Sequence, residues 1–143
     1  MSEAPEAVAR RIAAFMAEHD RVCADLGMQV ESVSAGNAVI SLLVGSDMVN
    51  ALGICHGGIT FSLADTAFAI ACNSRNKKTV ALTCTINYIK QAVPGDRLRA
   101  TAREVTLTGR TGIYDIEVVK NDSEIIAQFR GTSYALGGDV LEL

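Results

Sequence analysis

Residues 57–74 read GGITFSLADTAFAIACNS. This stretch is long enough for a helix, rich in alanine and apolar on nearly every side. A helix that is apolar all round is a buried helix. Its small residues Ala64, Ala67, Ala69 and Ala71 let other elements come close. It holds one charge, Asp65, and is too short to span a bilayer comfortably.

On its N-terminal side, residues 6–26 carry Ile12, Phe15, Met16, Val22 and Leu26 at helical spacing, with charges on the other face. That pattern predicts an amphipathic helix ending near Gly27. Residues 28–34 and 37–44 read as strands around a tight turn at Ala35-Gly36, followed by a loop over residues 45–56. On the C-terminal side come four strand-like runs: residues 79–89, 97–107, 112–120 and 124–135. In the first, alternation places Val80, Leu82, Cys84, Ile86 and Tyr88 on one side. In the second, Leu98, Ala100 and Ala102 oppose Arg97, Arg99 and Arg103. Pro94-Gly95, Thr108-Gly109-Arg110 and Asn121-Asp122 supply turns too short for crossover helices. The pattern predicts an α+β fold: one curved antiparallel sheet around one buried helix, with the N-terminal amphipathic helix covering an edge or an outer surface.

A chain of 143 residues fits a single domain, with the N-terminal helix at about 6–26 and the core at about 27–136. That size supports a core without disulfides or metal. Aromatics are only 5% of the chain, so the core rests on Val, Ile, Leu and Ala. The net charge of −3 argues against a nucleic-acid partner. Cys23, Cys55, Cys72 and Cys84 form no CxxC pair, and His19 and His56 are the only histidines, so no metal site is expected. The thiols read as buried and free in a reducing cytosol, Cys55 among them as a packing residue. Glu3 and Glu6 break a transit-peptide pattern, and the expectation is a cytoplasmic protein with no membrane segment.

A buried carboxylate is costly unless it is paired or used. Asp65 lies about two turns inside the helix, too deep to cap its start. The helix opens with His56-Gly57-Gly58. A helix start presents unpaired N–H groups, and glycine lets another molecule approach them. An N–H near Gly57 can therefore bind a carbonyl oxygen as it becomes negative; alternatively the glycines serve only a sharp turn. Gly57 and Asp65 are eight residues apart, about 12 Å of helical rise. One carbonyl group cannot touch both in one chain. If both serve one reaction, they come from different subunits of a two-fold dimer.

With Asn50, His56-Gly57-Gly58 and the run FSLADTAFAIACNS at residues 61–74, the chain resembles the hotdog-fold thioesterases, within them the PaaI type of phenylacetic acid degradation. Weaker agreement at Asn87-Tyr88, Gly109-Arg110 and Gly131-Thr132 extends the resemblance over about residues 25–136. It implies an acyl-coenzyme A hydrolase working as a homodimer with interfacial active sites, two dimers forming a homotetramer, and no bound cofactor. It implies Asp65 as catalytic carboxylate, either a general base on water or a nucleophile forming a mixed anhydride, and the Gly57 N–H as the group polarising the thioester. Asn50 lies near the thioester, Thr83 helps hold the attacking water, and His56 orients the loop or acts as acid–base. Basic residues should meet the coenzyme phosphates, with Lys90, Arg110 and the row Arg97, Arg99 and Arg103 as candidates, Arg110 foremost. The expected acyl group is phenylacetyl or hydroxyphenylacetyl, with medium-chain fatty acyl as the other option.

Two rival readings stand. A hotdog hydratase or dehydratase would use a histidine in a Pro-containing loop, and this chain has only Pro5 and Pro94. A non-catalytic acyl-coenzyme A-binding module is permitted by the fold. Asn50, Gly57 and Asp65 occurring together speak against it.

Overall fold

The computed structural model describes residues 2–143. Two helices, α1 (Pro5–His19) and α2 (Arg21–Asp25), precede strands β1 (Gln29–Ser34) and β2 (Asn37–Leu43). The central helix α3 (Gly57–Asn73) follows. Then come β3 (Lys77–Tyr88), β4 (Arg97–Thr108), β5 (Thr111–Lys120) and β6 (Glu124–Asp139). The strands form one sheet in the order β1-β2-β4-β5-β6-β3, antiparallel at every pairing. The edges are β1 and β3.

The α3 helix lies across one face of this sheet. Leu63, Ala64, Ala67, Phe68, Ile70 and Ala71 are buried against Ile40, Leu98, Ala100, Ile116, Val118 and Phe129. Full burial of each large apolar side chain stabilises by about 1.5–3 kcal/mol. Close approach depends on the small residues. A Cβ at Gly131 would stand 2.6 Å from Cε2 of Phe68, so that ring rests on bare backbone of β6.

The C-terminal end of α3 is tied down by its own side chains. Asn73 Nδ2 donates to the carbonyls of Ala69 (2.9 Å) and Thr79 (2.9 Å), and its Oδ1 accepts from the Thr79 N–H (3.0 Å). Ser74 Oγ donates to the Ala71 carbonyl (2.7 Å) and accepts from the Gly36 N–H (2.8 Å). The start of β3 and the β1–β2 turn are thereby anchored to one helix end.

Two sequence expectations change. The N-terminal amphipathic segment is two helices, not one helix over residues 6–26. At Asp20 the backbone turns extended (φ −80°, ψ 106°), and its carboxylate accepts from the Cys23 N–H (3.0 Å), restarting the chain as α2. A short acidic side chain competes for backbone in this way. The alternation in β3 also fails. A bulge between Ala81 and Thr83 shifts the register, leaving Val80 44% and Leu82 61% exposed instead of aligned with Cys84 and Ile86. One extra residue flips the facing of what precedes it. Among the described residues, no helix is long and apolar enough to cross a membrane.

Candidate active site

The loop leading into α3 is held by its backbone. The His56 N–H donates to the Met48 carbonyl (2.8 Å) and the Cys55 N–H to the Ala92 carbonyl (2.8 Å). Within it, Asn50 Oδ1 accepts from the N–H groups of Leu52 (2.9 Å) and Ile54 (3.3 Å). The Asn50 Nδ2 group makes no hydrogen bond among the described residues, and so is an unused donor.

His56 is the N-cap of α3, and its Nδ1 accepts from the Gly58 N–H (2.9 Å). That bond holds the ring against the first turn of the helix. A Cβ on Gly58 would press on this ring at 3.0 Å, which accounts for the second glycine. The N–H groups of Ile59 and Thr60 turn back to the His56 carbonyl. Only the Gly57 N–H, among these first donors, has no partner among the described residues. From the other side, Tyr88 Oη donates to the Gly57 carbonyl (2.9 Å), and its ring lies 3.3 Å from where a Gly57 Cβ would be. The free donor opens on a cleft of about 370 Å³ lined by Asn50, Cys55, Gly57, Tyr88, Lys90 and Gln91.

Asp65 is half-buried and makes no hydrogen bond or ion pair among the described residues. Burial first, and repulsion from Asp20 second, raise its pKa above the usual aspartate value. It does not line the cleft. It lies on the less buried stripe of α3 formed by Gly58, Ser62, Asp65 and Ala69. Along the helix it is about 12 Å from Gly57. One chain therefore carries a donor without its carboxylate and a carboxylate without its donor.

The other candidates divide between the two ends of the sheet. Thr83 is exposed at the β3 bulge and makes no hydrogen bond to Asp65. Lys90 is on the cleft wall, its Nζ donating to Glu124 (3.0 Å). Arg110 donates to the Ala135 carbonyl (3.2 Å), beside Thr79 at the start of β3. Lys90 follows the end of that strand, roughly 30 Å away at the rise of a β-strand. The two cations cannot meet one ligand from the same chain.

Burial works against thiolate formation at Cys55 and Cys72. Burial raises the Cys55 thiol above its ordinary pKa and pushes Cys72 up to about 12, so both stay protonated. Among the described residues, no three of His, Cys, Asp and Glu group to hold a metal. A larger cavity, about 570 Å³, lies on the outer sheet face between Arg103, Asp115, Glu117 and Arg130. It is away from the free donor, and Asp115 already pairs with Arg130 (2.6 Å) and Arg103 (3.6 Å). Tyr88 was not among the residues expected at the site. No local signal marks a contact spanning 31 positions.

A family model described as the thioesterase superfamily matches residues 52–127. The acyl-coenzyme A thioesterase PaaI of Escherichia coli is 43% identical over 87% of this chain and 89% of its own. The solved structure of the E. coli PaaI protein, from the phenylacetic acid degradation operon, superposes with a TM-score of 0.93 at 41% identity, covering 95% of this chain and 99% of that one. A Streptococcus mutans structure bound to acetyl CoA superposes with a TM-score of 0.75 at 26% identity, covering 78% of this chain and 90% of that one.

Proposed function

Because this chain belongs to the thioesterase superfamily, sharing the hotdog fold found in the sequence, we propose that it is an acyl-coenzyme A thioesterase whose carboxylate and oxyanion donor come from different protomers. The observation that carries this reading is the unpartnered Asp65 carboxylate, half-buried on the open stripe of α3. A second protomer related by a two-fold axis supplies what each chain lacks, giving two equivalent sites. Two such dimers form the tetramer.

The chemistry needs only these groups and water, the coenzyme A thioester being the substrate. The thioester carbonyl accepts from the Gly57 N–H of one protomer, and Asn50 Nδ2 lies ready beside it. Asp65 of the other protomer takes a proton from water while the water oxygen attacks the carbonyl carbon. Thr83 helps hold that water. Charge then develops on the carbonyl oxygen, where one oxyanion donor stabilises by about 3–4 kcal/mol. The C–S bond breaks, and the departing thiolate takes the proton back from Asp65. The raised Asp65 pKa suits a base that must return a proton. The favoured acyl groups are phenylacetyl and hydroxyphenylacetyl, in keeping with the E. coli relative. Lys90 of the donor protomer and Arg110 of its partner flank the entrance for the phosphates.

A thiol-release assay with aryl- and alkyl-coenzyme A substrates tests the reading. Asp65→Asn is expected to lower kcat by about 10²–10⁴-fold with the fold retained; a fully active variant rejects it. The shared site has its own test. Gly57→Pro removes the donor and Asp65→Asn the base. Refolding the two inactive variants together is expected to restore about a quarter of wild-type activity, through hybrids with one intact site. No recovery in verified hybrids would exclude a site built from two chains.

A further inference from the structure

Lys90, a sequence candidate for the coenzyme phosphates, lies on the wall of the Gly57 cleft, and a second cation, Lys120, bonds to the backbone of that wall. β5 ends at Lys120 and β6 begins at Glu124. Between them Asn121 (φ 50°) and Asp122 (φ 56°) are consecutive left-handed residues, the signature of a tight hairpin turn. Asn121 fastens this turn to the start of β4. Its Oδ1 accepts from the Arg97 N–H (2.9 Å), its Nδ2 donates to Asp96 (2.9 Å), and its own N–H donates to the Arg97 carbonyl (2.8 Å). Asp122 pairs with Arg99. The hairpin is a fixed platform.

From that platform Lys120 Nζ donates to the Gln91 carbonyl (3.0 Å), and Gln91 lines the cleft. On the same rim Lys90 Nζ donates to Glu124 Oε2 (3.0 Å). The two ammonium groups are thus held differently. Lys90 faces a carboxylate, whereas Lys120 rests on a neutral carbonyl. Asp96, the other acid near Lys120, is engaged by the Val93 N–H (2.9 Å) and by Asn121. Both lysines, Lys90 foremost, lower the Glu124 pKa, so the three groups share one electrostatic neighbourhood.

We infer that the β5–β6 hairpin is a phosphate clamp, in which Lys120 binds the nucleotide phosphates of the coenzyme and Glu124 competes with them for Lys90. This rests on the thioesterase reading. A thioester carbonyl at Gly57 leaves the phosphate-bearing end of the coenzyme at the cleft mouth. A phosphate there finds Lys120 in no ion pair among the described residues, and it must displace Glu124 to reach Lys90. Lysine suits that role as a compact point charge on a flexible stem.

Two substitutions with opposite signs test the clamp. Lys120→Gln is expected to raise KM for an acyl-coenzyme A about 3–10-fold at low salt, with kcat unchanged. It should not affect the same acyl group carried on pantetheine, which lacks the nucleotide. Glu124→Gln is expected to lower KM for the coenzyme A substrate about 2–5-fold. Equal KM for wild type and Lys120→Gln overturns the clamp, and so does a matching rise on the pantetheine thioester. Calorimetric binding of coenzyme A itself reads the clamp without turnover. Weaker binding by Lys120→Gln and tighter binding by Glu124→Gln support it, and unchanged binding overturns it. Wild type that hydrolyses neither thioester overturns the thioesterase reading, while calorimetry still decides the clamp.

Discussion

The two ends of α3 are built on opposite plans. At the C-terminal end, Asn73 and Ser74 each bridge the helix to a distant backbone, and their polar atoms are used. At the N-terminal end, His56 satisfies the neighbouring donor and leaves the Gly57 N–H open to a cleft. Helix ends always present unpaired groups. Here one end consumes them in bonds to neighbouring segments and the other leaves one open to the cleft.

The open end should break in activity and the closed end in stability. Gly57→Pro keeps a favourable residue at the first helical position but deletes the N–H, and kcat is expected to fall about 10²–10³-fold. Gly57→Ala retains the N–H and adds a methyl group 3.3 Å from Tyr88, so it controls for crowding. If Pro and Ala lose activity equally, the donor role is wrong. At the other end, Asn73→Ala removes three bonds from a buried residue and is expected to cost about 2–3 kcal/mol in urea unfolding. Its kcat should stay near wild type; a large loss of kcat would erase the contrast between the ends.

The smallest effect on stability lies midway, at Asp65. Its folded-state pKa is raised, so the native state holds its proton more tightly than the unfolded chain does. Stability from this group is present at low pH and is lost as pH rises through the folded pKa. Asp65→Asn should therefore melt higher than wild type at neutral pH and lose that slope. The acid limb of the wild-type kcat/KM profile should fall above the ordinary aspartate range. A variant less stable at neutral pH would contradict the assignment of burial as the cause.

Much of the scaffold was readable from local pattern. Residues 57–74 announced a buried helix because nearly every face was apolar, and Leu98, Ala100 and Ala102 announced an inward strand face by strict alternation. The β3 bulge was not readable, since Leu82 and Val80 keep an alternating pattern that the register does not follow. The break at Asp20 was masked by apolar spacing that continues on both sides. At the site, Gly57 and Asn50 line one cleft because the helix start and its loop set their positions, and Lys90 reaches that cleft from the end of β3. Tyr88 and Lys120 escaped because their contacts join segments 31 and 29 positions apart. Such contacts arise only from strand order, and β3 reaching the far edge beside β6 is not encoded in any neighbouring residues.

Phe68 seated on Gly131 has a consequence for how this framework changes over generations. The missing methyl group works as a spacer of zero thickness, setting the distance between helix and sheet one turn beyond Asp65. Any side chain at that position would collide with the Phe68 ring, and the ring or the helix beneath it would have to shift. A single added carbon on β6, remote from the cleft, thus bears on the seat of the helix that carries Asp65.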